Sequence, residues 1–193
     1  FVTVCFLTIK QTADAKGYIR YNLSEDGVLS FYGKGELKRA DYLLSIEKDC
    51  IKKIVIGEGI TSLGKNSFTY FPNAKKVILP SSLKKIGDNV FSDMPALETI
   101  KVPDSVASIG KGAFSDCDLL KKLVLPASLK SWKKGVAQDC PSLSAIINRS
   151  KVICHLDNCR GWRIWKVNSK KTRVLPKKKT ARARGKKIPI IYD

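Results

Sequence analysis

Apolar and polar positions along this chain of 193 residues recur at a fixed step of 23 between Ile60 and Ile147. Gly64, Gly87 and Gly110 keep that step, with Lys133 in the fourth place. Phe68, Phe91 and Phe114 keep it too, ending at Ala137. Pro80, Pro103 and Pro126 follow suit, as do Leu97, Leu120 and Leu143, and Ile60, Leu83, Val106 and Leu129. One such unit is too short to bury its own apolar side, so the copies must stack into a solenoid.

Within each unit a short alternating run predicts a strand. Lys53-Ile54-Val55-Ile56 is the first, followed by Lys76-Val77-Ile78-Leu79, Thr99-Ile100-Lys101-Val102 and Lys122-Leu123-Val124-Leu125, with Ala145-Ile146-Ile147 opening a fifth. Alternation directs Ile54, Val77, Ile100, Leu123 and Ile146 inward, together with Ile56, Leu79, Val102 and Leu125. Proline cannot continue a hydrogen-bonded ladder, so Pro80, Pro103 and Pro126 end their strands. A second inward row is expected at Leu63, Ile86, Ile109 and Trp132, and the phenylalanines fill the widest part of each rung. Each large side chain so buried contributes about 1.5–3 kcal/mol. Ala137 and Trp132 mark the last rung as atypical. A repeat of this length, rich in Leu and Ile, is the signature of a mainly β leucine-rich repeat solenoid.

Ahead of the rungs, Tyr18 to Leu23 and Val28 to Tyr32 flank Ser24-Glu25-Asp26-Gly27, a hairpin signal. Leu37, Ala40, Leu43 or Leu44, and Ile46 lie at helical spacing, predicting a short helix over residues 36–47. Residues 16–48 thus read as an N-terminal cap over the first apolar rung. Residues 1–15, FVTVCFLTIKQTADA, begin without methionine. Their apolar run and the small residues Ala13 and Ala15 read as a truncated secretory signal peptide with its cleavage site, the alternative being an irregular strand.

Here the chain resembles a known family. Leu79-Pro80-Ser81-Ser82-Leu83-Lys84-Lys85-Ile86-Gly87 through Phe91, and Val102-Pro103 through Ile109-Gly110-Lys111-Gly112-Ala113-Phe114-Ser115-Asp116-Cys117, are similar to repeats of BspA-type leucine-rich repeat proteins. The segment Asp26 to Gly35 resembles the hairpin that often precedes those repeats, and Ile56-Gly57-Glu58-Gly59-Ile60 the entry into the first full rung. The resemblance spans about residues 18–147. It implies a secreted or cell-surface protein that binds other proteins, often as an adhesin. A solenoid is a scaffold, so the motif says much about fold and little about function.

Charge divides the chain. The net formal charge is +19, of which residues 151–193 hold +12 and residues 16–150 hold +7. The solenoid is expected over 49–147, and 148–193 as a C-terminal strand, Gly161 to Val167, followed by a basic tail too poor in apolar residues to build a core. Lys177, Lys178, Lys179, Arg182, Arg184, Lys186 and Lys187 form the densest basic run. They make it a candidate site for a polyanion such as acidic polysaccharide, nucleic acid or anionic membrane, against solvated disorder as the bland reading. Aromatic residues are not interleaved there, which weakens single-strand nucleic-acid recognition. No apolar run is long enough to mark a membrane span.

Signals for chemistry are weak. Cys117 and Cys140 are one period apart, at a place that Phe71 and Met94 fill in earlier copies. They read as buried small hydrophobes before a disulfide or metal pair. Cys154, His155, Asp157 and Cys159 have poor spacing for zinc, and a local disulfide or free thiols fit better. No turn marks a nucleophile for His155, the only histidine, and the recurrent glycines belong to the repeat. Enzyme, cofactor and metal are therefore not expected.

The outward side of the strand ladder says more. Lys53, Lys76 and Lys122 project from one row, interrupted by Thr99 and Ala145. Val55, Ile78, Lys101, Val124 and Ile147 form the adjacent row. An apolar stripe bordered by lysines suits an interaction site, and solenoids use such faces for partners. The competing reading is lysines that protect the sheet and branched residues that merely favour strands. The function expected is that of a monomeric, secreted or surface-bound, non-catalytic scaffold. Its partner is an extracellular or surface protein, with the lysines steering acidic ones.

Overall fold

The computed structural model describes residues 19–38, 47–133, 135–150, 163–166 and 189–192. The strands are β1 (Ile19–Leu23), β2 (Val28–Gly33), β3 (Gly35–Leu37), β4 (Lys53–Ile56), β5 (Ile60–Leu63), β6 (Lys76–Ile78), β7 (Lys85–Ile86), β8 (Thr99–Lys101), β9 (Ser108–Ile109), β10 (Lys122–Leu125), β11 (Ser131–Trp132), β12 (Ala145–Asn148), β13 (Arg163–Lys166) and β14 (Pro189–Tyr192). They form a nine-stranded sheet, β1-β2-β4-β6-β8-β10-β12-β14-β13, and a five-stranded sheet, β11-β9-β7-β5-β3. The molecule is a mainly β leucine-rich repeat solenoid. No α-helix occurs among the described residues.

Each rung places one strand in the long sheet, pairs it in parallel with its counterpart one period away, and turns toward the second sheet, at Gly57 in the first rung and at Pro80, Pro103 and Pro126 in the next three. Lys53 lies opposite Lys76, Lys76 opposite Thr99, Thr99 opposite Lys122, and Lys122 opposite Ala145. β1 and β2 make the antiparallel hairpin expected around Asp26-Gly27, and β2 joins β4 in parallel, with Leu29 opposite Ile54.

The second inward row holds more structure than its spacing suggested. Leu63, Ile86, Ile109 and Trp132 each end a short strand, β5, β7, β9 and β11 in turn, and these strands pair in parallel. A third backbone ladder closes the rung without regular strands: Phe68, Phe91 and Phe114 donate their N–H groups to Val90, Ala113 and Val136. With amide groups satisfied from rung to rung, the interior can be wholly apolar.

That interior is a column. Phe68 stacks on Phe91 at 5.7 Å and Phe91 on Phe114 at 5.6 Å, and Phe31 of the hairpin meets Phe68 edge-on at 5.2 Å. All four rings are fully buried, and Ala137 continues their row. Beside them, the Cys117 thiol donates to the Phe91 carbonyl at 3.2 Å and Cys140 to that of Phe114 at 3.1 Å. Both cysteines are buried and unbridged, packing as small hydrophobes do. A hydrogen bond with Cys140, together with burial, holds the Cys117 thiol far above its ordinary pKa.

Two expectations are corrected. Glu36 and Leu37 belong to β3, not to a helix, because Leu37 pairs with Leu63 and extends the second sheet. Lys38 and Glu47 are not helical either, and residues 39–46 of that expected helix lie outside the described residues. At the far end, the strand beside β12 is β14 rather than the one expected from Gly161 to Val167. Ile146 pairs with Ile190, and β13 lies one strand further out.

Candidate functional site

On the outward face of the long sheet, register brings the candidate residues into two rows. Lys53, Lys76, Thr99 and Lys122 stand in the first, and Val55 opposite Ile78, then Lys101, Val124 and Ile147, in the second. Lys76, Thr99, Lys101 and Lys122 are exposed, whereas Lys53 is half-buried. The apolar stripe is shallower than alternation alone implies. Ile78 is 37% exposed, but Val55, Val124 and Ile147 are half-buried. Close-set neighbouring strands shade short branched side chains.

None of Lys53, Lys76, Lys101 and Lys122 has a carboxylate partner among the described residues, where the ion pairs are Lys38–Glu36 at 3.8 Å and Lys133–Asp88 at 3.3 Å. Each of four successive rungs therefore presents one ammonium group on this face with no ion-pair partner among the described residues. An open hollow of about 600 Å³ lies over β6 and β8 and the turns that follow them, with Thr99 in its lining. Lys76, Ile78, Lys101 and Asp104 line it.

The rows extend into the hairpin, which sequence reasoning missed. Val28 lies opposite Lys53 and Ser30 opposite Val55, while Tyr32, 53% exposed, lies opposite Arg20. Val28-Leu29-Ser30-Phe31 and Lys53-Ile54-Val55-Ile56 share one in–out alternation, and that was the available signal.

The other polar groups serve the frame. Asp88 accepts from the Lys111 backbone at 2.8 Å and from Lys133, and those contacts hold its carboxyl below the usual range. Glu58 accepts from the backbone of Ser81 and Ser82 at 2.8 and 3.1 Å, with the same effect. Asp93, Asp116 and Asp139 repeat at one loop position with φ of 54°, 56° and 54°. Burial, then the like charges nearby, push the Asp116 carboxyl up. Among the described residues no three of His, Cys, Asp and Glu converge as metal ligands would. The Cys154–Cys159 segment and the basic run Lys177 to Lys187 lie outside the described residues.

Parallel rungs, a column of phenylalanines and a laterally exposed strand ladder define a leucine-rich repeat protein. A family model described as the BspA type leucine-rich repeat region matches residues 45–158 in six copies. The chain belongs to that family.

Among solved structures, a leucine-rich repeat protein from Eubacterium ventriosum is similar at 24% identity and a TM-score of 0.57, covering 72% of this chain and 43% of its own. The T. pallidum leucine-rich repeat protein TpLRR is similar at 24% identity and a TM-score of 0.53, covering 72% of this chain and 71% of its own. These likenesses concern the fold. The chain spans less than half the length of the E. ventriosum protein. No curated protein matches it. No helix among the described residues is long and apolar enough to cross a membrane.

Proposed function

We propose that this chain is a secreted or cell-surface, non-catalytic scaffold that binds another protein, acting in adhesion, through the outward face of the long sheet. The observation that carries the reading is one ammonium group per rung, from Lys53 to Lys122, without a described carboxylate partner and beside a Val/Ile row. An acidic partner would neutralise that charge while covering Ile78 and its neighbours. Lysines would raise the association rate, and the apolar row would slow dissociation.

The double variant Lys76→Glu/Lys122→Glu tests this. Against a panel of acidic surface proteins in biolayer interferometry, binding should fall at least tenfold for any ligand of the native chain. Undiminished binding of every such ligand would sink the reading.

A second reading is polyanion binding through Lys177, Lys178, Lys179, Arg182, Arg184, Lys186 and Lys187, favoured by the charge of +12 over residues 151–193. Neutralising those seven residues in the full chain should move elution from heparin to much lower salt. Unchanged elution would remove it.

A further inference from the structure

We propose that the segment bound on this face is an amphipathic α-helix lying along the solenoid axis, acidic once per turn, with an acidic residue also at the centre of its apolar stripe. The inference rests on the binding face proposed above and specifies its occupant.

Pitch comes first. Neighbouring strands are about 4.8 Å apart, so the four lysine-bearing rungs from Lys53 to Lys122 span about 14 Å. Three turns of α-helix rise about 16 Å, a mismatch that flexible lysine stems absorb. An extended segment repeats its same-face residues about every 6.7 Å and would reach about 20 Å over the same three steps. It would leave register by more than one rung.

Lateral arrangement agrees. The two rows are two residues apart along each strand, about 6.6 Å, which fits beneath a helix of about 10–12 Å diameter. One row is basic and the other mainly Val and Ile, matching a helix whose apolar stripe is flanked by carboxylates. The backbone of the interior strands is already committed to neighbours on both sides, so strand addition has no free groups to use there.

Lys101 then sets specificity. It stands in the apolar row opposite Val124 and lines the same hollow as Ile78 and Thr99. A wholly apolar stripe would have to desolvate that ammonium without a partner. A stripe with a central glutamate would pair it.

The test uses the full chain and three synthetic peptides of about five helical turns. One is an Ala-rich helix with a Leu stripe, flanking Glu residues and Glu at the stripe centre. The second has Leu at that centre, and the third is the first peptide with two internal alanines replaced by proline, which breaks the helix and leaves its charge unchanged. Fluorescence anisotropy should show the central-Glu helix binding at least tenfold more tightly than the proline peptide. Lys101→Leu should reverse the preference between the two helices, and Lys76→Glu/Lys122→Glu should weaken both at least tenfold.

If the proline peptide binds as well as the helix while the double variant still weakens it, the helical occupant is wrong and the binding face stands. A preference unmoved by Lys101→Leu overturns the specificity argument. If no peptide binds, the helical occupant is overturned and the face is judged by the protein panel alone; if the helices bind and the double variant binds them equally well, face and occupant fall together.

Discussion

The inner and outer faces of the long sheet are made by the same strands, and alternate residues answer to different demands. Inward, Ile54, Val77, Ile100, Leu123 and Ile146 are no more than 5% exposed and vary only among aliphatic types. Outward, the matching rows run Lys, Lys, Thr, Lys and Val, Ile, Lys, Val, Ile. A rung must fit the rungs before and after it, so its interior is held to shape and volume. Its outer side touches solvent and is free to differ. Stability thus sits in what repeats, while the outward rows depart from the repeat at Thr99 and Lys101.

Substitutions can break this contrast. Phe91→Ala, which empties the middle of the phenylalanine column, should cost about 3–5 kcal/mol in guanidinium unfolding. A cost no larger than that of an outward lysine would contradict the division.

Gly110→Ala comes next. Its methyl would press on the backbone of Gly87 and Asp88 in the neighbouring rung, and about 1–3 kcal/mol should be lost in the same assay. Ser105→Ala removes a hydroxyl that donates to the Leu83 carbonyl at 2.6 Å, with an expected loss of about 1 kcal/mol.

Asp116→Asn should act in the opposite direction and more weakly. The folded chain holds the Asp116 proton more tightly than the unfolded chain does, because of burial and the charges of Asp93, Asp139 and Asp118. Ionisation therefore opposes folding at neutral pH, and that opposition fades as pH falls through the raised folded pKa. Asparagine removes the charge and tolerates the left-handed φ of 56°. The thermal midpoint should rise slightly at neutral pH and match the native chain in acid. Lys76→Ala should change stability by less than about 0.5 kcal/mol.

The repeat interval made the long sheet's inner row, the phenylalanine column and the lysine row legible before any coordinates. It did not show the second sheet as strands. β7, β9 and β11 are two residues long, below the length at which alternation differs from chance. The expected helix over 36–47 failed at Leu37, whose partner Leu63 lies more than a full repeat further along the chain. Apolar spacing is a local signal and cannot report a long-range partner. The left-handed positions were visible in retrospect. Asn66, Asn89, Gly112 and Gly135 keep the period at φ between 51° and 65°, and all are residue types that accept that conformation. For the candidate face, residue identities were readable, but how far Val55 and Val124 sink between their neighbours required the packed sheet.

The hydroxyls of Ser82, Ser105 and Ser128 each reach a carbonyl 22 residues earlier, tying a rung only to its immediate neighbour. A gene encoding such a chain can therefore change in whole steps. Duplicating one unit in frame would insert a layer whose two surfaces already fit the layers around it. It would lengthen the molecule by one strand spacing, about 4.8 Å. Recombination could thus vary the reach of the protein like the notches of a ruler, while any slip that is not a whole unit would leave every later layer out of phase.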